Sequence, residues 1–498
     1  MLKDSLARNS VLIMLSTVGT SGLGYLYWMV AARELPRPAI GTATALISAA
    51  TVVSMIANLG LGHMFIQRLP STASGAVGGS AAWSRIVSAG LLIGCAATAF
   101  ASAAAVLVLP RLAGNFGFLD GLSGAAALIV TAVALTASML LDYVFVAHRA
   151  SQGMLWRNLA LAAGKLTALA GLTAAGWASA SAVVLAWTVP SLLVSIYTLR
   201  WSLRRLRPGW RLGGGGLGAE LRHVRGSMTG HHLVNLAQAG PAAVLPVLVT
   251  ARLGAAENAH FYVAWMTASV LFMVSPAVAA ALYAERTNAN ARSASLPRAS
   301  LVVLVVIGGP AVVLFLAGGW ILSLFSPAYA VAGGLLLKIL VLAAIPDAIT
   351  NLAVAHWRST GRLRRCVRLN LVMAVSCLTL TWWWLPSWGI EAAGLAWLSG
   401  QSLGALLVAV LAGGDRYAGR IRAWPRSTAL AVHDFFVDPV RRAGSLRGRI
   451  APRPRQPRGG ARPLLQPAVR GRPDLRLPAG SRRPSPHSRP RSRSWRVP

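Results

Sequence analysis

The stretch Leu140–Leu169, LLDYVFVAHRASQGMLWRNLALAAGKLTAL, decides how the rest of the chain is read. It is the end of one apolar helix, a short basic turn and the start of the next. Two ionisable residues, Asp142 and Lys165, stand inside its apolar runs. The turn has a distant copy. Val146–Gly153, VAHRASQG, recurs as Val354–Gly361, VAHWRSTG, with five of eight positions identical and a spacing of 208 residues. A helix–turn–helix repeated at that distance predicts a chain built from two similar halves.

Composition sets the solvent of those halves. The chain has 498 residues, 55% hydrophobic and only 12% charged, whereas soluble domains carry about 25% charged residues. Mean hydropathy is +0.57. Twelve apolar runs are visible, at 11–32, 39–62, 84–109, 122–147, 157–176, 178–199, 230–251, 259–283, 299–319, 331–355, 367–386 and 392–412. Each is long enough to cross a hydrocarbon core of ~30 Å as a helix. Helices are expected because every backbone polar group in lipid must be satisfied within the segment. The first run is too long for a signal-peptide core and is read as a retained span.

Loop charge tests the count. Alternate loops hold 21 Lys and Arg, from Lys3 and Arg8 through Arg149 and Arg157 to the group Arg358–Arg368, whereas the intervening loops hold only Arg33, Arg37, Arg111 and Arg252. This alternation fits an even number of spans in a cytoplasmic membrane with both termini cytoplasmic. The expected fold is therefore all-α and integral to the membrane: twelve transmembrane helices in two six-helix lobes related by a parallel pseudo-two-fold. The expected divisions are an N-lobe at 1–199, a Gly-rich cytoplasmic linker at 200–229, a C-lobe at 230–412 and a disordered tail at 413–498. The tail holds 21 of the 48 basic residues. The net charge of +35 thus says little about the body and does not point to nucleic acid. An Arg- and Pro-rich segment is expected to meet anionic inner-leaflet lipids.

No enzyme constellation is present. The 13 acidic residues are mostly isolated, and Cys95, Cys366 and Cys377 have no metal spacing. Neither a catalytic group, a metal nor a cofactor is expected. What remains is a set of polar residues in or near the spans. Asp142 and Lys165 are placed at similar depth in the fourth and fifth spans and are candidates to pair, either as a structural ion pair or as part of a polar cavity wall. Asp347 stands nine residues before His356, as Asp142 stands six before His148, so the two acids are expected on the same helix face. His231, His232 and Asn235 open the seventh span, and a His pair is a candidate proton site. Arg33 and Arg252 stand at corresponding ends of the first and seventh spans, where snorkelling is the simplest role. His148 and His356 stand at helix C-termini, which favour a cation.

Two stretches resemble a known family. WMVAARELPRPAIGTATALISAATVVSMIANLGLGHMFIQRLP (28–70) is similar to the opening of polysaccharide biosynthesis proteins of the O-antigen flippase type. LLDYVFVAHRASQGMLWRNLALAAGK (140–165), with Asp142, Arg149, Asn158 and Lys165, resembles their fourth and fifth helices. That family belongs to the multidrug/oligosaccharidyl-lipid/polysaccharide exporter superfamily. The resemblance covers about 5–412 and excludes the tail. It implies two facing lobes around a cavity and a carrier of a polyprenyl-diphosphate-linked oligosaccharide. On that reading Lys165, Arg33, Arg252 and Asn235 bind substrate, while Asp142, Asp347, His231 and His232 orient charge or bind a coupling ion. Glycan polymerase and glycosyltransferases are candidate partners. Lipid II flippases of the superfamily typically carry an Arg-Asp pair where this chain has Tyr27 and Trp28, which argues against lipid II as substrate. A drug/cation antiporter of the same fold and a membrane scaffold for glycan assembly are the competing readings.

Overall fold

A computed structural model describes residues 5–72, 79–213, 231–287 and 296–412. The tail 413–498, and the lipid contact expected of it, lie outside the described residues. The helices are α1 (Ser5–Glu34), α2 (Arg37–Ala57), a short α3 (Leu61–Arg68), α4 (Gly79–Leu112), α5 (Leu122–Ala147), α6 (Ser151–Ala174), α7 (Ala180–Tyr197), α8 (His231–Leu253), α9 (Ala255–Thr287), α10 (Leu296–Ser323), α11 (Pro327–Ser359), α12 (Leu363–Trp388) and α13 (Glu391–Ala412). Among the described residues, nine helices are long and apolar enough to cross a membrane. The other three long helices are α1, α6, which carries Arg157 and Lys165, and α10, whose apolar part is Ile307–Ser323.

Helices α1–α7 form one lobe and α8–α13 the other. In the first, α6 packs on α1 and α7, and α4 on α5; in the second, α11 packs on α9 and α10, and α8 on α12. Helix α2 belongs to both. It packs on α4, α5 and α7 of its own lobe and on α8 and α9 of the other. Its sequence, RPAIGTATALISAATVVSMIA, is rich in Ala, Ser, Thr and Gly, and thirteen of its 21 residues are buried. Small side chains suit this position, because helix association in lipid depends on close packing and interhelical hydrogen bonds rather than on hydrophobicity.

The tightest approach is at the arginine-poor end of α2. A Cβ at Gly41 would lie inside the van der Waals envelope of the Ala255 carbonyl at the start of α9. Buried Asn258 donates to the Gly41 carbonyl and to Thr44 Oγ1, both at 3.0 Å. Nearby, Arg33 Nε donates to the Leu324 carbonyl at 2.8 Å and Asn115 Nδ2 to the Ala251 carbonyl at 3.2 Å. Trp28 meets Tyr262 edge-on at 4.8 Å, and Tyr25 meets Phe325 at 4.9 Å. The lobes are thus fastened together on the arginine-poor side.

Two expectations need correction. The run 39–62 is not one helix: α2 ends at Ala57, and Leu59 (φ 51°) and Gly60 (φ 76°) turn the chain into α3. Left-handed backbone at Gly60 costs nothing in Cβ strain, whereas at Leu59 it is held by the surrounding packing. The duplicated turn is also out of structural register. In the first copy the helix ends at Ala147 and the left-handed residue is Arg149; in the second the helix ends at Ser359 and the left-handed residue is Gly361. The structural spacing is therefore four residues longer than the sequence spacing, about one helical turn.

Part of the expected linker is built into the first lobe. Trp210, buried, donates from Nε1 to the Leu199 carbonyl at 2.9 Å and packs edge-on against Trp83. Residues 214–229 lie outside the described residues.

Gly41→Val should separate α2 from α9, because overpacking a fitted contact forces backbone shifts. A Thr44→Cys/Asn258→Cys pair is expected to form a disulfide in the otherwise unchanged protein. That yield should fall by more than half when Gly41→Val is added, as read by non-reducing electrophoresis of membranes.

Candidate functional site

The charges of the first lobe separate into two groups. Ser138 and Asp142 lie one turn apart on α5 and face α6. Arg157, six residues into α6 and only 6% exposed, fills the space between them. Its Nη1 lies 2.6 Å from Asp142 Oδ1 and 3.0 Å from Asn158 Oδ1, and its Nη2 donates to Ser138 Oγ at 2.7 Å. This overturns the pairing of Asp142 with Lys165. Counted as a loop residue, Arg157 is in fact a helix residue whose guanidinium spans α5 and α6. Asp142 is therefore neutralised where it stands.

Lys165 lies about two turns further along α6 than Arg157. Its Nζ sits 3.5 Å from the centroid of the Trp187 ring on α7. No carboxylate pairs with it among the described residues. A desolvated cation over a tryptophan face gains about 2 kcal/mol or more, and the contact uses no carboxylate. The Trp187 Nε1–H is buried and has no hydrogen-bond partner among the described residues. Trp187 packs on Tyr27 and Trp28, and Trp28 touches Tyr262 of the other lobe. Tyr27, whose hydroxyl donates to the Val183 carbonyl at 2.8 Å, and Trp28 are both buried.

The second lobe holds a cavity of about 370 Å³ among α8, α9, α11, α12 and α13. Its polar lining includes Gln238, Asp347, Thr350, Asn351, Asn370 and Gln401. Asp347 is 6% exposed, and its Oδ2 has no hydrogen-bond partner among the described residues. Gln238 Nε2 donates to Asn351 Oδ1 at 3.1 Å, and Asn351 Nδ2 to the Asp347 carbonyl at 3.0 Å. Arg358 Nη2 donates to Asn235 Oδ1 at 3.0 Å and to Gln238 Oε1 at 3.1 Å. Asn235 and Asp347 thus belong to one network, remote from Lys165 in sequence and in the other lobe.

The remaining candidates disperse. Arg33 fastens α1 to the turn after α10, and Arg252 stacks on Trp382 at 4.5 Å; both contacts are explained without a ligand. The His232 ring reaches the Ile56 carbonyl of α2. The side chain of His231 lies outside the described residues. His148 does not act as a helix-end cation: its Nε2 accepts from Trp83 Nε1 at 3.0 Å, while Nδ1 lies 3.1 Å from the Val144 carbonyl. Burial, with Arg207 nearby, pushes the imidazole below the ordinary histidine value, in keeping with the neutral ring this geometry requires.

No family model and no curated protein sequence matches the chain. Solved structures do. A lipid II flippase, MurJ, in an inward closed conformation superposes with a TM-score of 0.62 at 12% identity, covering 81% of this chain and 87% of its own. An inward-facing multidrug resistance MATE family transporter of the MOP superfamily gives 0.58 at 14%, covering 84% and 99%. The MATE multidrug transporter DinF-BH gives 0.54 at 15%, covering 84% and 96%. The chain has the fold of the MOP-superfamily transporters. These neighbours are transporters and flippases, not enzymes. The fold is shared; at these identities no residue role transfers with it.

Within the MOP fold, several residues that organise the site escape a reading of the sequence. Arg157 hid behind the loop count, though its spacing from Ser138 and Asp142 across a tight turn was visible. Asn258, Gln238 and Asn351 are uncharged and gave no signal beyond being amides in apolar runs. Breaking a buried ion pair from one side costs about 3–5 kcal/mol, because the surviving charge is stranded. Asp142→Ala should therefore lower the thermal stability of the purified protein strongly, and Arg157→Leu added to it should restore most of the loss. An Asp142→Ala variant as stable as the unchanged protein would remove the pair from this structural role.

Proposed function

We propose that the chain is an alternating-access flippase that moves a polyprenyl-diphosphate-linked oligosaccharide across the cytoplasmic membrane for surface polysaccharide synthesis. The observation that carries the reading is the uncompensated cation at Lys165. With Asp142 occupied by Arg157, the Lys165 amine has no carboxylate partner among the described residues and lies beside an indole N–H that donates to nothing described. An ammonium and a free N–H suit phosphate oxygens, which bind best through charge-assisted hydrogen bonds. A cationic drug would be repelled there. The aromatic pair Tyr27–Trp28, where lipid II flippases typically carry charges, supports a substrate other than lipid II. The expected topology, with arginine-rich loops cytoplasmic, would place the Gly41–Asn258 junction on the external side.

Losing a charge-assisted bond costs about 1.5–3 kcal/mol, or roughly ten- to hundred-fold in binding. Lys165→Gln should cut surface glycan by that order while the protein stays in the membrane at unchanged amount, and Lys165→Arg should retain part of the flux. Undiminished glycan in Lys165→Gln would overturn the assignment.

The C-lobe cavity supports a second element of the same reading, a site for the coupling cation. Asp347 supplies the carboxylate, and Gln238, Thr350, Asn351 and Gln401 line the same cavity. The thermal stability of the unchanged protein is expected to depend on Na⁺ concentration or on pH. Asp347→Asn should abolish that dependence; an identical dependence in the variant would exclude Asp347 from the role.

A further inference from the structure

Lys165 and the junction of the lobes are joined by a short run of aromatic rings. Lys165 on α6, Trp187 on α7 and Trp28 on α1 all stand in the arginine-poor halves of their helices. The Trp187 ring is the hub of the group. The Lys165 Nζ lies 3.5 Å from its centroid, and the rings of Tyr27 and Trp28 lie 5.4 and 5.9 Å from it. Tyr27 and Trp28 are neighbours in α1, so their side chains leave the helix about 100° apart. They serve different partners. The Tyr27 hydroxyl is tied to the Val183 carbonyl of its own lobe. Trp28 meets Tyr262 of α9, in the other lobe, at 4.8 Å. Tyr262 stands four residues, one helical turn, from Asn258, whose side chain bonds Gly41 and Thr44 of α2.

A phosphate has two groups to engage at this hub. One is the Lys165 amine, which rests on the Trp187 ring; the other is the Trp187 Nε1–H, buried and without a hydrogen-bond partner among the described residues. Engaging the amine competes with its contact on the ring. Engaging the N–H turns the indole towards the ligand. Either change alters how Trp187 packs on Trp28. Trp28 is only 3% exposed, and a close-packed interior transmits such a shift rather than absorbing it. The next contact along is Tyr262, at the lobe junction.

We propose that Trp28 couples the Lys165 site to the lobe junction: an anion held by Lys165 and Trp187 loosens the Trp28–Tyr262 contact and, with it, the hold of α2 on α9. The inference rests on the reading of Lys165 as a phosphate site and adds a positioning residue that acts through Trp187. Coupling between two sites is reciprocal. If the anion loosens the junction, a junction locked shut weakens binding of the anion by the same factor.

The test uses the full-length protein carrying Thr44→Cys and Asn258→Cys, purified in detergent. The Kd for farnesyl diphosphate is measured with the disulfide formed and again after its reduction, with farnesol as the control that lacks phosphate. The reduced form is expected to bind farnesyl diphosphate about ten-fold more tightly than the locked form, with no such difference for farnesol. Trp28→Leu in the same background should bring the two Kd values together while binding persists. Tyr262→Leu breaks the same contact from the other lobe and should do the same; it carries the test where Trp28→Leu does not fold, as judged by elution and thermal unfolding. Tyr27→Phe removes only the bond within the first lobe and should keep the difference, which a general loosening of the aromatic group would not. Equal affinities in the locked and reduced forms, or tighter binding in the locked one, would overturn the coupling and leave the phosphate site standing. A difference that survives both Trp28→Leu and Tyr262→Leu would overturn it too. Absence of binding in the reduced form, or binding undiminished by Lys165→Gln, would instead refute the phosphate site itself, and the inference with it.

Discussion

The fold depends on how closely two backbones can meet. At Gly41 the start of α2 lies against the Ala255 carbonyl with no room for a Cβ, and Asn258 ties the junction by two hydrogen bonds. Within a bilayer, apolar surface alone does not choose one helix partner over another, since lipid tails are as apolar as leucine. Specificity has to come from shape and from satisfied polar groups. Helix α2 supplies both by being small along most of its length, which lets one helix serve as the common wall of two lobes. The aromatic contacts Trp28–Tyr262 and Tyr25–Phe325 then widen a point contact into a seam.

Charge is the second constraint, and the structure meets it in different ways. A charge at a helix centre costs about 2.5–3.5 kcal/mol on insertion scales. Arg157 meets that cost with a carboxylate, an amide and a hydroxyl. Lys165 meets it with a tryptophan face. Asp347 meets it with a polar cavity. These solutions are not equivalent. A pair such as Asp142–Arg157 cancels the charge and fixes two helices. An aromatic face or an amide-lined cavity lowers the cost while leaving the charge available to something that arrives later. That difference separates the structural group from the candidate functional ones more surely than depth or sequence position does.

Much of this was legible in the sequence. Run length and arginine alternation marked twelve spans, and among the described residues twelve long helices occupy them, because the constraints of the bilayer act on every residue of a span. The lobes were legible from the repeated turn. Its register was not, since a helix can run one turn longer, as α11 does past Val354, without changing the residues of the turn. The partner of Asp142 was misread for a related reason. Arg157 follows a basic turn, and one-dimensional charge counting cannot tell a loop arginine from one six residues into a helix and turned inward. The junction at Asn258 left no mark, because an uncharged amide in an apolar run has no pattern; only the facing backbone of Gly41 gives it meaning.

Corrected register changes how the two lobes compare. Asp142 stands seven residues before left-handed Arg149, and Asp347 stands fourteen before left-handed Gly361. Seven residues are nearly two full turns, so the acids share a helix face but differ by about 10 Å in depth. The shallower acid is spent on Arg157, while the deeper one is left for the cavity; the lobe that keeps its cation and the lobe that keeps its carboxylate are different lobes. On the proposed function, an anionic substrate and a coupling cation would not compete for the same groups. Their coupling would have to pass through packing that both lobes share. The network from Asp347 through Asn351 reaches Gln238 on α8, and α8 is one of the helices against which α2 packs. The wall that fastens the lobes is therefore also the element on which both charges can act.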